Sequence, residues 1–144
     1  TIKFLGNVDD DSGAKVLKAM KAAVKKIGPF DMVVRGVGVF PSEDDMKIIW
    51  VGVDDPEPLA AIFKNVEKGL KKLGFEPDSR AFTPHVTIAR VRSSKNRLRV
   101  KEVVDAHKDE EFGVIRVDTL FLKKSFLTNE GPVYSTVGTA RLGE

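Results

Sequence analysis

The sequence contains no cysteine and only two histidines, one tryptophan and one tyrosine among its 144 residues. Without cysteine the chain can form neither disulfide bonds nor thiolate metal sites, which fits a reducing compartment. No apolar run approaches the roughly 20 residues that a membrane-spanning helix needs, and no signal peptide is visible. We therefore expect a cytoplasmic protein that does not contact membranes.

The composition that remains is typical of a soluble globular protein, with 42% hydrophobic and 31% charged residues. The length suits one domain with a sizeable core, so we assign residues 1–144 to a single domain. The net charge of +3 and the pI near 9.1 suit an acidic partner such as nucleic acid, although solvated lysines explain the same excess.

The most informative segment is a predicted strand, which reads Pro84-His85-Val86-Thr87-Ile88-Ala89-Arg90. Val86 and Ile88 alternate with His85 and Thr87, so the apolar side chains share one face and the polar ones share the other. An imidazole and a hydroxyl then lie roughly 7 Å apart, at about 3.3 Å per residue. This pair could bind a phosphate and move a proton on it. Both residues could equally be ordinary polar and β-branched strand residues.

The chain opens with a shortened second copy of this segment. Thr1 and Ile2 can be laid over Thr87 and Ile88, and the partner of His85 would then lie two residues before Thr1. The order strand, helix, strand, strand follows both copies, which indicates an internal duplication with lobes at 1–55 and 56–144. By this count the first lobe is incomplete, and about 30 to 40 residues would precede Thr1.

Hydrophobic periodicity and turn residues predict the remaining elements. An amphipathic helix with apolar Leu17, Met20 and Val24 is expected to begin at an Asp11 or Ser12 cap. The other predicted elements are a strand at 1–5, a hairpin of 32–40 and 46–53, helices at 56–73 and 98–107, and a final hairpin of 112–127 and 133–141. Trp50 is interpreted as a packed strand residue, with base stacking as the alternative.

Two His-x-Thr-x motifs in this order, the first cut short before Thr1 and running into Phe4-Leu5-Gly6, resemble those of the 2H phosphoesterases. The most similar branch is the RNA 2',3'-cyclic phosphodiesterases, historically called 2'-5' RNA ligases. The resemblance extends over nearly the whole chain, because further matching segments lie at 35–41, 48–53, 73–75, 124–127 and 131–134.

The resemblance implies an α+β, two-lobed duplicated fold. Its two antiparallel sheets would lie about a pseudo-two-fold axis with a central cleft between them and helices on the outside. The implied activity is hydrolysis of 2',3'-cyclic phosphates to 2'-phosphomonoesters by two histidines, without metal or cofactor, with weak 2'-5' ligation as a second activity. The implied partners are RNA ends or nucleotides with a 2',3'-cyclic phosphate, tRNA fragments among them, and the implied state is a monomer.

The resemblance also implies roles for individual residues. His85 would be the proton acceptor, and the histidine before Thr1 the donor. Thr1 and Thr87 would hold the non-bridging oxygens of the phosphate. Arg90 would lie beside the phosphate, although its odd offset from Thr87 places it on the opposite face of a regular strand. A bulge or the end of the strand must therefore re-aim Arg90.

Two aromatic residues are further candidates for substrate binding. Phe4 could stack on a base, with core packing as the alternative. Tyr134 could lie near the cleft or be an ordinary edge-strand aromatic. The alternative functions for the chain are a non-catalytic nucleotide or RNA-end binding module, and a scaffold whose cleft is unused.

Overall fold

A computed structural model describes residues 1–93 and 95–144, with the side chain of residue 10 excepted. In chain order its elements are α1 (Asp10–Val24), β1 (Phe30–Ser42), β2 (Asp45–Val53), α2 (Glu57–Lys71), β3 (Val86–Arg90), α3 (Arg97–Ala106), β4 (Glu111–Val117), β5 (Thr119–Thr128) and β6 (Gly131–Arg141). None of these described helices has the length and apolar composition that crossing a membrane requires. The α+β class with antiparallel sheets is confirmed.

The described residues form two compact units, each built from separate stretches of the chain. One unit contains 31–57, 83–116 and Thr1, and the other contains 2–30, 58–82 and 117–144. Their limits do not coincide with the predicted lobes at 1–55 and 56–144. The internal duplication, its axis and its cleft stay predictions.

The first unit is organised around a four-stranded sheet with the strand order β3-β2-β1-β4. The predicted hairpin of β1 and β2 is confirmed, since Ser42 pairs with Asp45 and the antiparallel pairing continues to Val34 and Val53. Two register shifts interrupt this pairing, one after Arg35 and one after Phe40. Each shift changes which residues oppose one another on the two strands.

The second unit contains the antiparallel hairpin of β5 and β6. The prediction of one strand at 112–127 was wrong, because the chain breaks at Asp118 and β4 joins the four-stranded sheet. Asp118 is held at this break by its backbone carbonyl, which accepts a hydrogen bond from the N–H of Leu142 at 2.8 Å. Alternation of apolar residues predicts a strand but not the sheet to which it belongs.

The hydrophobic core of the second unit lies between α1, α2 and the end of β6. Its buried side chains are Val16, Met20, Ala23, Val24, Ile62, Val66, Leu70, Ala140 and Leu142. The core-facing stripe of α1 includes Val16, and the predicted Leu17 lies beside it against Gly138 of β6. A Cβ at Gly138 would lie 2.6 Å from the side chain of Leu17, so the small residue allows the helix and strand to approach closely.

The helix α1 is capped by Asp9, and the predicted caps at Asp11 and Ser12 were wrong. The Asp9 carboxylate accepts a hydrogen bond from the backbone N–H of Ser12 at 2.7 Å, which is the usual N-cap arrangement. This bond, followed by one from the Ser12 hydroxyl, holds the pKa of Asp9 below its ordinary value. Ser12 is therefore not the N-cap but the residue, three positions after Asp9, whose N–H the cap binds.

Residues 1–5 do not form the predicted strand. Instead this segment is held by its side chains, because Leu5 packs against the core and Lys3 pairs with Glu67 of α2. The ammonium of Lys3 also donates to the backbone carbonyl of Glu76 at 2.9 Å and lies 3.4 Å from the carboxylate of Asp78. The side chain of Lys3 is only 6% exposed. A buried ammonium with these partners fixes the segment without backbone pairing.

Burial acts to lower the pKa of Lys3, but the hydrogen bond and charge of Glu67, together with those of Asp78, outweigh it and raise the pKa above its ordinary value. We expect Lys3→Met to lower the free energy of unfolding by about 3 kcal/mol at pH 7, since it leaves Glu67 with an uncompensated buried charge. The raised pKa means that this stabilisation is present below the ordinary value of 10.5 and is lost as pH rises through the folded-state pKa. Urea denaturation at pH 7 and above pH 10.5 measures both effects.

The matched control for this prediction is Lys18→Met, which changes an exposed lysine on α1. It should alter the free energy of unfolding by less than about 0.5 kcal/mol. Equal stability of the two variants at pH 7 would contradict the structural role given to Lys3.

Candidate functional site

The pairing of β3 with β2 contains a bulge that decides which side chains share a face. Thr87 pairs with Trp50, Ala89 pairs with Ile49 and Arg90 pairs with Ile48, so Ile88 is the extra residue. Paired residues lie on the same face of an antiparallel sheet, and Trp50 and Ile48 share a face because they are two apart. Thr87 and Arg90 therefore lie on one face despite their odd offset.

Of the two alternatives expected to re-aim Arg90, a bulge or the end of the strand, the pairing contains the bulge. Both Thr87 and Arg90 are exposed on this face. A hydroxyl and a guanidinium on one face can together bind a phosphate, the first by a neutral hydrogen bond and the second by charge-assisted ones.

His85 lies at the entry to β3 and is partly buried. Its Nδ1 is 2.7 Å from the backbone carbonyl oxygen of Thr83. Because a carbonyl oxygen can only accept, Nδ1 must carry the proton in this hydrogen bond. The neutral ring then has its lone pair on Nε2, which is the atom available to accept a proton from a bound molecule.

Two aromatic rings lie against the imidazole of His85. The Phe40 ring meets it edge to face at a centroid distance of 5.1 Å, and the Trp50 ring lies 6.3 Å away. Phe40 and Trp50 also contact each other at 5.1 Å. Packing against these rings, together with the Nδ1 hydrogen bond, holds the plane of the imidazole.

The indole of Trp50 lies over Gly38, its pairing partner on β1. A Cβ at Gly38 would lie 2.2 Å from Cζ2 of the indole, so no larger residue fits beneath the ring. The indole N–H is buried without a hydrogen-bond partner in the described part of the chain. Packing alone therefore keeps Trp50 beside His85.

The structure places the remaining predicted residues on its two units. Thr1 is exposed and belongs to the unit that contains His85 and Thr87. Phe4 and Tyr134 belong to the other unit and are 79% and 63% exposed. The core-packing alternative for Phe4 was wrong. Tyr134 pairs with Ser125 in a two-stranded sheet, whose strands are both edges. The binding role of Tyr134 stays a prediction, as do the roles of the other predicted site residues.

Phe40 and Gly38 were not predicted as neighbours of the histidine. A signal was available, because a glycine two residues before Phe40 faces the only tryptophan across a predicted hairpin. Counting outward from the turn would still have failed, since the register shift after Phe40 displaces every later pair by one residue. Among residues 1–93 and 95–144, no three His, Asp or Glu side chains converge so that they could hold a metal ion.

Comparison with known proteins gives consistent matches over most of the chain. Residues 1–124 match the family model described as the 2'-5' RNA ligase superfamily. The chain is 32% identical over 142 residues to a Methanothermobacter thermautotrophicus protein named RNA 2',3'-cyclic phosphodiesterase, covering 99% of this chain and 77% of that one. A Methanocaldococcus jannaschii protein of the same name is 34% identical over 137 residues, covering 95% and 76%.

Solved structures share the fold. A crystal structure of a Thermus thermophilus protein matches with a TM-score of 0.82 at 23% identity, covering 99% of this chain and 76% of that one. Escherichia coli LigT complexed with 3'-AMP matches with a TM-score of 0.76 at 18% identity, covering 100% and 76%. These likenesses support the architecture described above.

The packing of Trp50 over Gly38 is directly testable, because the protein has a single tryptophan. We expect Gly38→Ala to displace the indole and to lower the free energy of unfolding by about 1–3 kcal/mol, as overpacking does elsewhere. Tryptophan fluorescence reports the displacement, and urea denaturation reports the stability.

Gly13→Ala is the matched control, because a Cβ at this α1 position meets no atom within 4 Å. It should stabilise the protein by about 0.5–1 kcal/mol through the helix preference of alanine and leave the emission spectrum unchanged. Identical spectra and stabilities for Gly38→Ala and the wild type would refute the close packing at Gly38.

Proposed function

The chain belongs to the 2'-5' RNA ligase superfamily, and on this premise we propose that it hydrolyses 2',3'-cyclic phosphates at RNA ends to 2'-phosphomonoesters. Two relatives that are 32% and 34% identical over nearly the whole chain carry the name of this activity. The observation that carries the proposal is the shared sheet face of Thr87 and Arg90 on β3, the strand that His85 precedes with its Nδ1 bonded to the carbonyl of Thr83.

In the proposed reaction, Nε2 of His85 takes a proton from a water molecule while the water oxygen attacks the phosphorus. The bond between phosphorus and the ribose O3' breaks, and a protonated imidazole gives its proton to O3'. The product is a 2'-phosphomonoester with a free 3'-hydroxyl. The proton donor in this scheme is the histidine that the predicted register places two residues before Thr1.

The other groups of the site hold the phosphate and offset its charge. The hydroxyl of Thr87, and that of Thr1 by the predicted register, would donate hydrogen bonds to the non-bridging oxygens. The guanidinium of Arg90 would balance the negative charge that increases as water attacks. These groups need no metal ion to orient the phosphorus for attack.

Weak 2'-5' ligation follows from the same chemistry. If the 5'-hydroxyl of a second RNA replaces water, its oxygen attacks the phosphorus and O3' again leaves, which forms a 2'-5' linkage. Water is far more abundant than RNA ends, so hydrolysis should dominate.

The role of His85 is tested with an RNA oligonucleotide that ends in a 2',3'-cyclic phosphate. We expect the full-length protein to convert this end to a 2'-phosphate, and His85→Ala to lower kcat by about 10²–10⁴ because the proton acceptor is lost. Conversion is followed by the mobility of the end-labelled oligonucleotide. Circular dichroism in the far ultraviolet checks that the variant is folded.

The matched control is His107→Ala, which removes the second histidine of the sequence. His107 closes α3 and pairs with Glu110, outside the set of rings at His85. It should retain most of the activity. Unchanged cyclic ends with the folded wild-type protein would reject the proposal, and tight binding of these ends without turnover would favour the non-catalytic binding module.

The role of Thr87 is tested by Thr87→Val, which keeps the β-branched shape and removes the hydroxyl. We expect kcat to fall by about 10²–10³, the typical cost of losing one donor to a developing oxyanion. Thr87→Ser keeps a hydroxyl and should recover most of the rate in the same assay. Equal activity of Thr87→Val and the wild type would show that the hydroxyl does not contact the phosphate.

A further inference from the structure

A run of positive charge begins at the end of the candidate site. Residues 90–101 contain six cations and no acidic residue: Arg90, Arg92, Lys95, Arg97, Arg99 and Lys101. The rest of the same unit is acidic, with twelve acidic and four basic residues. The positive charge of this unit is therefore concentrated in one stretch of its sequence.

Two of these cations are already paired within the protein. Arg97 donates to the carbonyl oxygen of Glu43 at 3.0 Å and lies 3.2 Å from the carboxylate of Asp44. Lys101 pairs with Glu43 and lies 3.1 Å from the carboxylate of Asp105. The hydrogen bonds of Glu43 and Asp105 raise the pKa of Lys101, so it stays charged. These two residues hold α3 to the turn between β1 and β2.

Three other cations are left facing solvent. Arg92, Lys95 and Arg99, which we call the basic strip, are exposed and have no ion-pair partner in the described part of the chain. The first turn of α3 carries no acidic residue, although carboxylates are the side chains that this end of a helix favours. The arrangement therefore costs the folded protein electrostatic free energy that a bound polyanion would recover.

The position of the basic strip beside β3 indicates which polyanion it would bind. The strand β3 ends at Arg90, and Arg92 lies two residues beyond it. The strip therefore begins directly after the strand that carries Thr87 and Arg90. A 2',3'-cyclic phosphate lies at the 3' end of an RNA strand, and its upstream phosphodiesters must leave the site over the adjoining surface. Guanidinium groups bind such phosphates through paired hydrogen bonds.

We propose that the basic strip of Arg92, Lys95 and Arg99 binds the upstream sugar-phosphate backbone of single-stranded RNA whose 3' end occupies the face of Thr87 and Arg90. The proposal rests on the proposed function and deepens it. It makes an oligonucleotide, rather than a cyclic mononucleotide, the preferred substrate. The contacts are to phosphates, so they carry no base sequence preference.

The test compares a cyclic mononucleotide with a ten-residue RNA that ends in the same cyclic nucleotide. The variant carries Arg92→Gln, Lys95→Gln and Arg99→Gln together. We expect its kcat/KM for the RNA to fall at least about 10-fold at low salt, while its turnover of the mononucleotide stays within about two-fold of the wild type. For the RNA, the slope of log(kcat/KM) against log[salt] should become shallower by about 2, because each of three lost phosphate contacts contributes about 0.7 to the slope. An equal loss on both substrates, or no loss, would overturn the proposal.

The matched control is Lys18→Gln, Lys21→Gln, Lys25→Gln, which removes the same charge from exposed positions in and beside α1. It should leave both substrates and the salt dependence unchanged. The same loss in this control would show that net charge, and not the basic strip, governs RNA affinity.

Binding without turnover separates the two proposals. Fluorescence anisotropy with a labelled ten-residue RNA that ends in a 3'-hydroxyl should show weaker binding by the strip variant, whether or not the wild type is catalytic. Weaker binding together with an inactive wild type would reject the proposed function and keep the strip. Normal turnover by the wild type, together with unchanged RNA binding by the strip variant, would reject the role of the strip and leave the proposed function in place. Displacement of the RNA by polyglutamate of equal charge would also reject the role of the strip.

Discussion

The candidate site depends on one feature of backbone pairing, the bulge at Ile88 between β3 and β2. A one-residue change in register moves every following side chain to the opposite face of a sheet. Here the bulge brings Arg90 onto the face of Thr87 while the strand continues to pair with β2. The shared face of the Thr87 hydroxyl and the Arg90 guanidinium is therefore set by main-chain pairing.

Much of the architecture could be predicted from local patterns. The apolar spacing in α1 and α2 predicted both helices, and turn residues between β1 and β2 predicted their hairpin. The histidine and threonine motif identified the 2H phosphoesterase family, which the matches to the family and its relatives confirm. These features succeed because each is encoded within a few neighbouring residues, where periodicity and turn chemistry act directly.

Features that depend on distant partners were not predictable in the same way. Residues 1–5 alternate like a strand, but Lys3 is anchored by Glu67 and by the segment near Asp78, far along the chain. The break at Asp118 and the assignment of β4 to the other sheet are likewise tertiary. The contacts of Phe40 and Trp50 with His85 depend on two register shifts, which leave no trace in the alternation of residues.

The hydrogen bond from Nδ1 of His85 to the carbonyl of Thr83 has an evolutionary consequence. Every residue except a chain terminus supplies the same main-chain oxygen, so no mutation at position 83 can delete this acceptor. Lineages that replace the threonine would still present the same imidazole nitrogen to a bound molecule. The tautomer of this histidine is thus inherited with the path of the chain, and sequence drift at position 83 can change the neighbouring side chain while Nδ1 keeps its proton.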